Sequence, residues 1–151
     1  AYWALKQLRL EDIPADEQDA ASEMFARESL ILKQLHHPAL PKLIDYKSPA
    51  GAAPYIVMEC IKGQPLDEVL TKRTTPLRLE EALPIALQLT HLLHALHSQT
   101  PPIIYRDLKP SNLILSDSGM IRLIDFGIAR FRSANSLKDT QELGTPGYCA
   151  P

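Results

Sequence analysis

Near residue 62 the chain changes its hydrophobic period, and that change restricts the folds open to it. Before this point, short strand-type runs surround one helical stretch. Tyr2 to Gln7 predicts a strand, and polar Leu8 to Asp19, with Pro14 inside it, predicts a loop. From Asp19, Phe25, Glu28, Leu32 and Leu35 recur at three- and four-residue steps, a helix ending before His36-His37-Pro38 with one carboxylate in its apolar stripe. Leu40 to Tyr46 and Tyr55 to Cys60 read as strands joined by a small, flexible loop. After Lys62-Gly63-Gln64-Pro65 the pattern turns helical. A short helix is expected at about Leu66 to Lys72. A longer one runs from Leu79 to Ser98, with Ala82, Ile85, Ala86, Leu89, Leu92, Leu93 and Leu96 on one face and Pro84 near its first turn. Leu113 to Leu115 and Met120 to Ile124 flank Asp117-Ser118-Gly119, a hairpin signal. Strands first and helices later predict an α+β architecture, with a boundary near Ile61 to Gly63.

Composition removes several classes of function. Sixteen Lys and Arg against eighteen Asp and Glu give a net charge of −2, which gives no bulk attraction to nucleic acid or to an anionic membrane. Cys60 and Cys149 are the only cysteines, with no metal-type spacing, so neither a disulfide framework nor a structural zinc is expected, and a reducing, cytoplasmic setting fits best. No run of 18 apolar residues occurs, so no membrane span is expected in this segment. His91, His94 and His97 stand at three-residue steps but offset from the apolar face of their helix, with no carboxylate to complete a metal site. The chain begins without Met, in Tyr2-Trp3-Ala4-Leu5, and stops at Ala150-Pro151. Both ends read as internal to something longer.

The chemistry is concentrated in two clusters. Tyr105-Arg106-Asp107-Leu108-Lys109-Pro110-Ser111-Asn112 follows the long helix, and Asp125-Phe126-Gly127 follows the hairpin. Arg, Asp, Lys and Asn at this spacing arise by chance in roughly one chain of this size in a thousand, before the second cluster is counted. The pair resembles the catalytic loop and metal-binding triplet of protein kinases. The resemblance extends over the chain: Trp3-Ala4-Leu5-Lys6 is similar to the strand carrying the ATP-binding lysine, and Gly144 to Pro151 to the end of an activation segment. The wording of these motifs resembles bacterial, eukaryotic-like Ser/Thr kinases.

The resemblance implies a two-lobed α+β protein kinase fold truncated at both ends, with 1–61 part of the small lobe and 62–151 part of the large one. It also implies ATP and Mg²⁺ as cofactors and proteins bearing Ser or Thr hydroxyls as partners. Lys6 would hold the α/β-phosphates and be held by Glu28. Asn112 and Asp125 would offer hard oxygens to Mg²⁺. Asp107 would orient the substrate hydroxyl and accept its proton, and Lys109 would touch the transferring phosphate and the Thr145 hydroxyl. Ala4 and Ile114 would sandwich adenine, Met58 would guard the back of the pocket, and the backbone of Glu59, Cys60 and Ile61 would bind the adenine edge. Leu32, Leu43, Tyr105 and Phe126 would stack into a column joining the lobes. Thr140 would carry an activating phosphate read by Arg106 and Arg130. With the phosphate-covering loop and later helices outside the sequence, the chain alone is expected to lack turnover.

Taken singly, none of these residues decides anything. Lys6 alone is a solvated strand-end lysine, Glu28 a glutamate at a stripe edge, and Asp-Phe-Gly a turn. Order and spacing together carry the reading. A small-molecule phosphotransferase shares the Asp and Asn spacing, but Arg106 and the Gly144 to Pro151 segment speak against it. A pseudokinase acting as a scaffold is the other alternative, and it would need a defect outside this sequence.

Overall fold

The computed structural model describes residues 2–49, 51–126, 130–131 (backbone), 145 and 147–148. The first sheet has the order β1-β3-β2, with β1 at Trp3–Gln7, β2 at Leu43–Lys47 and β3 at Tyr55–Glu59, all antiparallel. The register sets Ala4 opposite Met58 and Lys6 opposite Ile56. Side chains alternate across a strand, so Trp3 and Leu5 are left exposed while Ala4 and Lys6 share the inner face with buried Ile56 and Met58.

One helix, α1 (Gln18–Gln34), covers that face. Its sequence has no Gly or Pro and places Phe25, Glu28, Ser29, Ile31 and Leu32 on the buried side, the three- and four-residue spacing of a single stripe. Gln18 fastens its start, donating from Nε2 to the carbonyls of Leu10 and Ile13 at 3.0 and 3.1 Å. Phe25 then joins Ile56 and Met58 in a small core and lies against the Tyr46 ring.

The next segment corrects the expected strand from Leu40. Pairing begins only at Leu43; Pro38 to Leu40 form a turn closed by Leu40 N–H on the His37 carbonyl at 2.9 Å, and Pro41, without an amide hydrogen, cannot donate to a ladder.

Strand β4 (Gln64–Pro65) leads into α2 (Leu66–Thr71), and α3 runs from Leu79 to His97. The Glu81 carboxylate caps the start of α3, accepting the Arg78 N–H at 2.8 Å and hydrogen bonds from Nη1 and Nη2 of Arg73. The helix starts at Leu79 as expected, with Pro84 its sixth residue, just past the first turn, and Ala86, expected on the buried face, is exposed. Leu92 and Leu96 are fully buried, while Leu79, Leu83 and Leu87 are exposed on another side. A second sheet, β4-β6-β7, uses the expected hairpin, β6 (Leu113–Leu115) and β7 (Ile121–Leu123), with Gly119 at φ 77° in its turn. Two residues, Ile103–Ile104 (β5), pair with β8 (Arg130–Phe131).

The larger core joins Ile31, Leu32, Leu35, Ala39 and Leu40 to Leu66, Leu92, Leu96, Tyr105, Leu123 and Phe126. Residues before and after position 61 therefore share one packed interior.

Candidate active site

Strand alternation aims Lys6 inward from β1, and the stripe of α1 aims Glu28 outward to meet it. Lys6 Nζ lies 2.8 and 2.7 Å from the two oxygens of Glu28 and 2.8 Å from Asp125 Oδ1. Glu28 is 1% exposed, and its Oε1 also accepts the Phe126 N–H at 3.4 Å. Burial works against the Lys6 ammonium, but contact with two carboxylates outweighs it and raises the Lys6 pKa, so the group stays charged. Burial pushes the Glu28 carboxyl upward, and Lys6 on both oxygens opposes that shift.

The catalytic-loop residues converge on Asp107. Lys109 Nζ is 2.8 Å from Asp107 Oδ2, Asn112 Nδ2 donates to Asp107 Oδ2 and to its carbonyl at 2.9 Å each, and Thr145 Oγ1 donates to Asp107 Oδ1 at 2.7 Å. Lys109 Nζ also donates to Thr145 Oγ1 at 2.7 Å. Burial alone would raise the Asp107 pKa; hydrogen bonds from Lys109, Thr145 and Asn112 outweigh it and hold the carboxyl below its usual range. Arg106, just before, has φ 71°, a left-handed conformation uncommon for a residue with a side chain.

Two bonds tie these clusters together. The Tyr105 hydroxyl donates to the Asp125 carbonyl at 2.5 Å, and the Ile124 N–H donates to the Asn112 carbonyl at 3.1 Å. Burial, with Asp125 nearby, pushes the Tyr105 phenol far above its usual range, so it remains a donor. Tyr105 stacks edge-on against Phe126, ring centroids 5.4 Å apart, in the core that holds Leu32, with Leu43 packed against it.

The remaining sequence candidates lie on the two sheets and on the connection between them. Met58 is buried opposite Ala4. Glu59 ends β3, Cys60 is exposed and Ile61 is half-buried in the connection to β4. Ile114, half-buried on β6, faces Pro65 on one side and Arg122 on the other. Arg130 is described only in its backbone, paired with Ile104, and Thr140 lies outside the described residues, as do Gly127, Gly144 and the whole polar 132–144 stretch. Sequence reasoning missed the ion pair of Glu59 with Arg122, which the Lys42 backbone N–H joins at Glu59 Oε2; its members are common charged residues with no local spacing to mark them.

The donor set suits magnesium bound together with phosphates. Both N–H bonds of the Asn112 amide point at Asp107, which leaves its Oδ1, with the Asp125 carboxylate, as the hard oxygens available to a cation. Among the described residues, no three His, Cys, Asp or Glu side chains converge to hold a metal unaided. Two protein oxygens, completed by phosphate and water, is the Mg²⁺ pattern.

Comparison with known proteins agrees with this geometry. The model of the protein kinase domain family matches residues 1–151. Serine/threonine-protein kinase pkn2 of Myxococcus xanthus is 37% identical over 141 residues, 89% of this chain and 16% of that protein. Serine/threonine-protein kinase PknA of Mycobacterium tuberculosis is 34% identical over 134 residues, 85% of this chain and 30% of its own length. A probable serine/threonine-protein kinase PknB of Lactococcus lactis is 34% identical over 137 residues, 90% of this chain and 21% of its own. The chain thus spans less than a third of each of these relatives.

Proposed function

The chain belongs to the protein kinase domain family, and from that premise we propose that it carries the catalytic centre of an ATP- and Mg²⁺-dependent kinase acting on Ser and Thr hydroxyls of proteins. The observation supporting this reading best is the link from Tyr105 to the Asp125 carbonyl. It sets the Lys6, Glu28 and Asp125 group in fixed relation to the Asp107, Lys109, Asn112 and Thr145 group. Phosphoryl transfer asks little covalent work of a protein and much placement of charge.

Lys6 supplies a fixed cation whose position Glu28 secures. Asn112 and Asp125 would hold Mg²⁺, which when bound with ATP neutralises phosphate charge and orients the phosphates. Asp107, ionised throughout the neutral range, is a weak base. It therefore orients the substrate hydroxyl first and takes its proton only as the oxygen becomes acidic late in transfer. Lys109, already beside Asp107, adds positive charge where the reacting groups meet. Ala4, Met58, Ile114 and the 59–61 backbone form the adenine pocket in this reading. Thr140 is the proposed activating phosphosite, with Arg106 and Arg130 as its readers; equal activity of Thr140→Ala and the parent phosphorylated in that loop would remove it.

Among the described residues no helix is long and apolar enough to cross a membrane. An exposed, unpaired Cys60 accords with a reducing cytoplasmic setting. The test is transfer of labelled phosphate from ATP to a Ser/Thr substrate protein by the full-length protein, with Asp107→Asn alongside. Transfer that disappears in the variant is expected. Nucleotide binding without any transfer would instead favour a scaffolding module.

A further inference from the structure

We infer that Arg122 is a positioning residue for the nucleotide, fixing the connection at residues 60–63 relative to Ile114 through its ion pair with Glu59. The inference rests on the kinase reading and adds to it a residue outside the catalytic motifs.

Arg122 lies on β7 directly across from Ile114, the proposed floor of the adenine pocket. Its Nη2 reaches out of the second sheet to Glu59 Oε2 at 2.8 Å and to the Leu40 carbonyl at 3.0 Å, so both hydrogens of one nitrogen are used. Glu59 is the last residue of β3, immediately before the connection whose backbone would bind the adenine edge. Its Oε2 also accepts the Lys42 N–H at 3.2 Å, and its own N–H donates to the Lys42 carbonyl at 2.9 Å. Three segments meet at one guanidinium: the end of the turn at Leu40, the end of β3 and β7 itself.

The chemistry of the pair favours a positioning role. A guanidinium is planar, so its two Nη2 hydrogens diverge at a fixed angle and set the direction from Leu40 to Glu59; an ammonium rotates freely and sets none. Arg122 is 19% exposed, and the Glu59 carboxyl is held below its usual range by Arg122 and Lys42 against the effect of burial, so the pair stays charged across the neutral range. Arg122 Nε is buried with no partner among the described residues, so the guanidinium is seated to reach its two acceptors and not to satisfy all its own donors. Without Arg122, the carboxylate of Glu59 keeps only the Lys42 N–H. The edge and floor of the pocket would then be joined only through the ladder that pairs Gln64 and Pro65 with Leu115 and Ile114, without the second tie at Glu59, and small displacements matter greatly to a bound ring.

The experiment compares ADP affinity and steady-state kinetics of the full-length protein with Arg122→Met, Arg122→Lys, Glu59→Gln and the double variant Glu59→Gln/Arg122→Met. We expect Arg122→Met to raise the Kd for ADP and the KM for ATP about tenfold while kcat falls less than about twofold, because the groups placed at the reacting centre are untouched. Arg122→Lys should recover part of the affinity, and the double variant should be no weaker than either single one. Unchanged KM with a lower melting temperature, additive single effects, or a fall confined to kcat would each overturn the inference. Should Arg122→Met fail to fold, Glu59→Gln decides, since it leaves the bond from Arg122 to Leu40 in place; an unchanged Kd there overturns it. A parent protein that binds no nucleotide overturns the kinase reading as well, whereas a binding parent with indistinguishable variants overturns this inference alone.

Discussion

Lys6 Nζ touches both oxygens of Glu28, at 2.8 and 2.7 Å, across 22 residues of sequence and between a strand and a helix. Glu28 is almost wholly shielded from water while a third of the Lys6 side chain meets it. Replacing Lys6 by Met should therefore cost about 1–3 kcal/mol of stability, less than a fully buried pair would lose, because a carboxylate is left inside without its counter-ion. The double variant Lys6→Met/Glu28→Leu should recover most of that loss in urea unfolding. Phosphoryl transfer should be absent from both. A double variant as unstable as the single one would show that the pair is not the cause.

Asp107 links catalysis to acidity. Its folded pKa lies below the unfolded value of about 3.9, so its stabilising contribution is full above that value and is lost as pH falls through the lower folded one. Thr145→Val removes the hydrogen bond to Oδ1 and moves the folded pKa back up. Unfolding free energy measured between about pH 5 and pH 2 should then fall less steeply than in the parent. The acid limb of kcat/KM should shift to higher pH. Superimposable curves would rule out Thr145 as a partner of Asp107 in solution.

Asp125→Asn should leave unfolding nearly unchanged and lower kcat by roughly 10²–10³-fold, since charge is removed where a cation is to be held. Nucleotide affinity should also lose its dependence on added Mg²⁺. A variant retaining both rate and Mg²⁺ dependence would exclude Asp125 as the metal ligand.

Gly63 has φ +148°, and a Cβ there would stand 2.4 Å from the Leu115 carbonyl oxygen and 2.7 Å from Ile114 Cγ2. Gly63→Ala should destabilise the protein by about 2–4 kcal/mol, combining backbone strain with a clash against β6, the strand of the proposed adenine floor. Thermal unfolding measures the first effect and ADP titration the second. Parental values in both would mean that the connection has room to shift.

Glu28 could be read from sequence because α1 keeps its period through an acidic residue, and only a counter-ion makes a carboxylate tolerable at such a position. The cluster from Tyr105 to Asn112 was legible for another reason: its residues are contiguous and their spacing is fixed. Strands β4 and β5 left no trace, as two residues cannot display a period. Leu40 was misplaced because it is apolar and deeply buried, as a strand residue would be, yet Pro41 denies the pairing. The pairing of Glu59 with Arg122, 63 residues apart, depends on where two sheets come to lie, which no window of sequence contains.

The larger core described above crosses residue 61 without a break. Ile31, Leu32, Leu35, Ala39 and Leu40 belong to the interior of the later residues, and backbone bonds such as Leu123 N–H to the Ala39 carbonyl at 2.8 Å fasten the turn after α1 to β7. Only Phe25, Ile56 and Met58, with their neighbours, form a separate small core. The boundary between the two cores therefore crosses α1 between Phe25 and Ile31. If the two cores shift against each other, the sheet and the first turns of α1 tilt as a lever. The last turns of that helix stay behind as its fulcrum, which puts the carboxylate of Glu28 at the pivot, where displacement is smallest.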